Sequence, residues 1–291
     1  MDRTQITQAM IDAYDEYTHL TLDRRRFMER LTALAGSGAA AAAIAPLLAA
    51  NSASAEMIAS DDERLSAKDV VYGGSSGEMK GYLVRPKAAT GPLGTVIVIH
   101  ENRGLNPHIR DVARRMALEG FIALAPDFLS PSGGTPDDED QARDMIGKLD
   151  PAATVANAEA SLQFLAKLDG ANGKVGAIGF CWGGGLVNRL ATISPELKAA
   201  VAYYGAQPPA EAVPNIKAAL LLHYAGLDER INAGIDAYRK ALEANGKTFE
   251  IHVYDGVNHA FNNDTSAARY DKAAADLAWQ RTVAFLKKYV G

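Results

Sequence analysis

Cysteine is almost missing from this chain of 291 residues: there is one, Cys181. No intrachain disulfide can form, and no metal knot built from several cysteines is possible. An excess of basic charge is missing too. Lys plus Arg is 30 against Asp plus Glu 35, a net charge of −5, which gives no bulk electrostatic case for binding nucleic acid. There is no internal repeat and no composition shift that would mark an interdomain linker. What the chain does have is apolar material, 48% against 22% charged, enough for a sizeable core and too much for wholesale disorder.

The N-terminal fifth reads as an address. Arg24-Arg25-Arg26-Phe27-Met28 precedes an alanine-rich stretch from Leu31 to Ala50, and Ala53-Ser54-Ala55 supplies a small-residue cleavage site. Basic, apolar and small-residue regions in that order describe an export signal. The paired arginines before Phe27 and Met28 resemble the twin-arginine signal, which carries folded proteins across the bacterial inner membrane. Asp23 stands where that pattern commonly has Ser or Thr. This reading gives a leader over residues 1–55, cleavage after Ala55, and one domain over 56–291. The protein is expected to be periplasmic or exported, handled by the twin-arginine machinery. A transmembrane anchor competes with it, but Gly36, Ser37, Gly38 and Pro46 interrupt the stretch and argue against a stable lipid span.

From residue 69 onward, short β-rich runs alternate with helical ones. Met79–Arg85 follows a glycine-serine turn and is expected to be a hairpin strand. Thr95–His100 is a continuous apolar run suited to a strand buried on both faces. Further strands are expected at Phe121–Ala125, Lys174–Phe180, Lys198–Tyr203, Ala218–His223 and Phe249–Tyr254. Helices are expected at Pro107–Glu119, Ala152–Leu168, Gly183–Thr192, Ile231–Ala244 and Ala267–Tyr289, with a surface loop and short helix from Ser130. Such alternation implies a mainly parallel central sheet with helices on both faces.

Chemistry concentrates at Gly179-Phe180-Cys181-Trp182-Gly183, between an expected strand and an expected helix. This is the nucleophile-elbow arrangement with cysteine in the place of serine. The start of the following helix favours thiolate over thiol. A thiol nucleophile needs an imidazole and the imidazole needs an orienting group. Asp228 follows the strand ending near His223, and His259 follows the last strand, so both reach the same sheet edge as Cys181. Their order, nucleophile, acid, histidine, is that of the α/β-hydrolase fold. After the first buried strand comes His100-Glu101-Asn102-Arg103-Gly104, which brings Glu101 to the site. The backbone amides of Asn102 and Trp182 are the candidate oxyanion-hole donors. Among the other histidines, His100 shapes the site, His223 is scaffold and His252 is a wall residue. His108 opens a helix near the mouth, and His19 falls in the leader. No ligand spacing supports a metal site, and no cofactor is required.

These residues resemble the dienelactone hydrolase family, the carboxymethylenebutenolidase-like α/β-hydrolases. The resemblance rests on His100-Glu101-Asn102-Arg103-Gly104, Gly-Phe-Cys-Trp-Gly-Gly, Tyr203-Tyr204-Gly205, Gly226-Leu227-Asp228 and Asn258-His259-Ala260-Phe261. It spans essentially all of the expected mature domain. It implies a triad of Cys181, Asp228 and His259, and a Glu101 that holds the resting thiol and helps generate the thiolate. The expected substrate is a small ester or lactone. One departure stands out: enzymes of the family that act on dienelactone grip its carboxylate with an arginine four residues after the catalytic histidine, and here that residue is Asn263. Arg103, Arg143 and Arg269 are candidates to replace it. The alternative from another class is a catalytically idle hydrolase fold that binds an envelope ligand or partner. A thiol-redox protein is disfavoured, because the chain has no resolving cysteine.

Overall fold

A computed structural model describes residues 6–19, 21–49 and 57–291. Its centre is an eight-stranded sheet of order β1-β2-β4-β3-β5-β6-β7-β8. The strands are β1 (Leu65–Gly74), β2 (Gly77–Pro86), β3 (Leu93–Ile99), β4 (Ile122–Asp127), β5 (Ala171–Phe180), β6 (Leu197–Tyr203), β7 (Ala219–Ala225) and β8 (Phe249–Tyr254). From β4 to β8 every pairing is parallel, whereas β1 and β2 form an antiparallel hairpin whose second strand pairs antiparallel with β4. The fold is the α/β-hydrolase fold, as the alternation of elements implies.

Burial explains why the middle strands read so clearly. In β3, Val96 through Ile99 are all fully buried, because helices cover both faces, and the one polar residue of the strand, Thr95, gives its hydroxyl to the Lys174 carbonyl. One apolar layer lies between the sheet and the helices α4 (Pro107–Leu118) and α10 (Lys272–Tyr289), and includes Val98, Val112, Met116, Val201 and Leu286. The other lies under α6 (Pro151–Ala166), α7 (Trp182–Ile193) and α9 (Ile235–Ala244), and includes Ile97, Ile99, Leu162, Val187 and Leu242.

Two expected helices are shorter than their patterns. The stretch from Ile231 breaks into α8 (Glu229–Asn232) and α9, because Asn232 Nδ2 donates to the carbonyl of Ala225 at 2.8 Å and Gly234 follows. The last helix starts at Lys272, not Ala267. Asp271 caps it, its carboxylate accepting from the Ala274 amide at 2.8 Å, and residues 266–270 turn back toward the site.

The N-terminal segment is folded in its described parts as α1 (Gln8–Thr18), α2 (Arg24–Ala35) and α3 (Gly38–Leu48). The side chain of Asp23 accepts from the Arg26 amide at 2.8 Å and caps α2, a task Ser or Thr performs equally well. Gly36 at φ +80° ends that helix, and Ser37 caps the next. Tyr14, Tyr17, Phe27, Leu31, Ile44 and Leu48 form a small apolar core among the three helices. Among the described residues no single helix is long and apolar enough to cross a membrane; α2 and α3 pass only as a pair bent by 112°. The expected cleavage site after Ala55 lies outside the described residues.

Candidate active site

The turn between β5 and α7 is set by close approach. A Cβ on Gly183 would strike the carbonyl oxygens of Ile99 and His100, and one on Gly184 would come within 2.7 Å of the Tyr203 oxygen. The chain therefore turns within one residue, and Cys181 adopts φ +54°, ψ −115°. That region is strained for any side-chain-bearing residue. Two other non-glycine residues with positive φ, Tyr204 at 39° and Ala260 at 64°, lie beside it in the same site. The Cys181 amide donates to the Tyr203 carbonyl at 3.0 Å and its carbonyl accepts from Gly185, so the backbone is held on both sides.

His259 and Asp228 come together as their positions after β8 and β7 suggested. Nδ1 of His259 is 2.5 Å from Asp228 Oδ2, and both side chains are buried. The other Asp228 oxygen accepts from the Ile231 amide at 3.2 Å. Since Nδ1 is taken by the carboxylate, Nε2 is the nitrogen left to face the sulfur. It is buried, and it acts on that sulfur.

The thiol itself is met by a residue that sequence reasoning set aside. His19, at the end of α1, places Nε2 3.3 Å from Cys181 Sγ, and its ring packs edge-on against that of His259 at 4.7 Å. His19, which the sequence places in the expected leader, thus lies at the site in this structure. The docking of α1 is specific. Asn102 Nδ2 donates to the Thr18 carbonyl, the Tyr17 hydroxyl to Asp140, and the Arg143 and Arg269 guanidiniums lie over the rings of Tyr17 and Tyr14. No sequence signal could have paired His19 with a cysteine 162 positions away.

Burial by itself would raise the thiol pKa, but His19 and His259 pull it down to about 6. For His259 burial also acts against charge, yet Asp15, Cys181 and Asp228 outweigh it and hold the imidazole well above its usual range. Around neutral pH the resting pair is therefore thiolate and imidazolium.

Glu101 is placed differently from expectation. Its carboxylate accepts from Asn263 Nδ2 at 2.7 Å and from the Tyr204 hydroxyl at 3.4 Å, whereas Sγ is met by His19 and His259. The expected hold of Glu101 on the resting thiol is corrected accordingly. Asn263 is buried, and its own oxygen accepts from the Thr265 amide and hydroxyl, so it works as a structural bracket for Glu101. His100 is a spacer. Its Nε2 accepts from the Phe128 amide, leaving Nδ1 to donate to the Glu101 carbonyl at 2.6 Å, and its ring stacks on Trp182 at 5.2 Å. His223 is bonded to Thr282 and Tyr254, away from the site, as a scaffold residue would be.

A cavity of about 560 Å³ opens over Cys181, bounded by Asn102, Trp182, Leu186, Tyr204, His259 and by Thr18 and His19 of α1. Arg143, Arg189 and Arg230 reach its wall. Arg143, itself paired with Asp140 and Asp144, lines this cavity, and Arg103 and Arg269 line a smaller recess that also borders Glu101, Cys181 and His259. Arg103 is further engaged by the Glu139 carbonyl and the Asp140 carboxylate.

Sheet order, strand-to-helix turn and the Cys181, Asp228 and His259 cluster at one sheet edge define an α/β-hydrolase. Residues 79–290 match the model of the dienelactone hydrolase family, and the chain belongs to that family. A protein of Escherichia coli (strain K12) provisionally named carboxymethylenebutenolidase is 32% identical over 257 residues, covering 84% of this chain and 94% of that one. A similarly named protein of Saccharolobus solfataricus is 33% identical over 258 residues, covering 76% and 98%. The crystal structure of a provisionally assigned dienelactone hydrolase from Klebsiella pneumoniae superposes with a TM-score of 0.71 at 32% identity, covering 77% of this chain and 99% of that one. The chain is a hydrolase of this type, acting on esters or lactones.

Proposed function

We propose that this hydrolase works by acyl transfer through Cys181, with His259 as its acid and base and Asp228 as the group that orients His259. The strained, buried thiol at the start of α7, beside an imidazole anchored to a carboxylate, carries the reading. The sulfur attacks the acyl carbon, forming the C–S bond while the carbonyl electron pair moves to oxygen. The amides of Asn102 and Trp182 receive that oxyanion; Trp182 is the first residue of α7, where amides have no intrahelical acceptor. His259 gives its proton to the leaving oxygen as the C–O bond breaks. Water then attacks the thioester, His259 takes the water's proton, and the acid leaves with the thiolate restored. Glu101, bracketed by Asn263 and Tyr204, borders the recess beside the sulfur and supports the site's charge balance. Rapid acid quenching of a reaction with p-nitrophenyl acetate should leave one acetyl group on the peptide that contains Cys181, detected by mass spectrometry. Turnover with no label on that peptide, at a quench time shorter than one turnover, would sink the thiol mechanism.

The N-terminal segment supports a second proposal, export in the folded state to the periplasm by the twin-arginine machinery. The arginine pair sits in the exposed first turn of α2, with Arg24 also paired to Asp140 at 2.8 Å. Changing Arg24→Lys and Arg25→Lys together keeps the charge and should abolish export while leaving folded protein in the cytoplasm. Undiminished periplasmic protein on cell fractionation would overturn this.

A further inference from the structure

The site holds more nitrogen than acyl transfer uses. Three donor atoms, one each from His19, Cys181 and His259, lie within 4.8 Å of one another. Both imidazoles are held from behind. His259 Nδ1 rests on Asp228 Oδ2 at 2.5 Å, and His19 Nδ1 lies 2.7 Å from the Asp15 carbonyl and 3.4 Å from its carboxylate. In the neutral rings the Nδ1 positions then carry the protons, so both Nε2 lone pairs point toward the sulfur. The sulfur and the two Nε2 atoms share protons only among themselves, and His259 Nε2 is buried. A cation that displaced those protons would meet three ligand atoms at once.

We propose that His19 Nε2, Cys181 Sγ and His259 Nε2 form a three-ligand site for Zn2+ that caps the thiol reversibly. Thiolate and imidazole suit zinc and not calcium or magnesium, which require oxygen ligands. The 3.3 Å between His19 Nε2 and Sγ is a ligand-to-ligand spacing that tetrahedral zinc accepts. Carboxylate or carbonyl oxygens behind both rings are the outer partners that zinc-bound histidines use to fix tautomer and raise basicity. Asp15 and Asp228 add negative charge around the site, offset in part by Arg269, whose guanidinium lies 3.7 Å from Asp15. All three ligand residues line the cavity, from which water could fill a fourth position. On binding, the proton held between the thiolate and His259 leaves to solvent, which frees Sγ and Nε2 to bind Zn2+, and the sulfur can no longer attack an acyl carbon. Because His19 belongs to α1, the capped state also ties the N-terminal segment to the hydrolase domain, and removal of that segment removes a ligand.

The test uses the full chain, stripped with chelator and titrated with zinc chloride against a chromophoric chelator. One Zn2+ per chain is expected, with equal loss of thiol reactivity toward a disulfide reagent and its recovery on adding EDTA. His19→Ala should weaken zinc binding by roughly 100-fold or more, and His19→Cys, which restores a ligand, should recover most of it. Circular dichroism checks that each variant is folded. Absence of stoichiometric binding, or equal affinity in wild type and folded His19→Ala, overturns the proposal. Neither readout requires turnover, so failure here leaves the acyl-transfer mechanism standing, and failure of acyl transfer leaves the zinc site standing.

Discussion

Cys181→Ala is expected to reduce hydrolysis of p-nitrophenyl acetate by roughly 10³- to 10⁶-fold in kcat while the fold persists. In the proposed mechanism the sulfur is the atom that forms the covalent bond, while the Thr18 and Tyr204 hydroxyls on the cavity wall are given to the Asp15 carbonyl and to Glu101. What remains is substrate binding and the oxyanion donors, which accelerate attack by water only modestly. Cys181→Ser makes the same argument more sharply. The two imidazoles that draw the thiol down to about 6 cannot ionise an alkyl hydroxyl near neutral pH, so this nearly isosteric change should also lose most of the rate. The wild-type pH profile follows from the same charges. Acyl transfer through Cys181 needs thiolate, so under the proposed mechanism kcat/KM should rise through a pKa near 6 and fall away in acid. It also needs the His259 proton for the leaving group. That pKa is raised, so the alkaline limb should lie well above the ordinary histidine range. Esterase activity retained at wild-type level in folded Cys181→Ala would instead point to a different nucleophile.

Gly179→Ala should destabilise the protein by about 3 kcal/mol or more, enough to leave little folded chain. The added Cβ would overlap the carbonyl of Gly183 and come within 2.8 Å of Val187 Cγ2. Relief requires moving Gly183, but that residue is pressed against the carbonyls of Ile99 and His100, and those belong to the central strand and the loop it feeds. The nearest obstacle is backbone, so rotation of the Val187 side chain cannot relieve it. Gly173→Ala is the matched control. At φ +80° it faces open space, and only the backbone penalty of about 1 kcal/mol applies. Urea denaturation of the two variants measures the contrast; equal midpoints would show that the β5–α7 contact is not what fixes glycine at 179.

How much of this was readable in advance depends on the range of the interaction. Thr95–His100 announced itself as a doubly covered strand, and Gly179-Phe180-Cys181-Trp182-Gly183 as a tight turn, since both depend on neighbours within a few residues. The helix boundaries at Asn232 and Asp271 were missed although their capping residues are visible, because apolar periodicity carried on past them. The hairpin strand over Met79–Arg85 was legible, but its antiparallel pairing with β4 was not, because strand direction in a sheet is set by which edge the chain returns to.

The sequence by itself determined the fold, the strained cysteine, and the order in which Cys181, Asp228 and His259 reach one sheet edge. Those depend on local turn chemistry and on the regular alternation of strand and helix. Only the tertiary structure decided what surrounds the sulfur. It turned Glu101 toward Asn263 and Tyr204, sent Arg143 to the cavity wall, and brought His19 of α1 to within 3.3 Å of Sγ. Packing of the N-terminal helices across the domain fixes that last contact, and a pairing over 162 positions leaves no periodicity or spacing from which to read it.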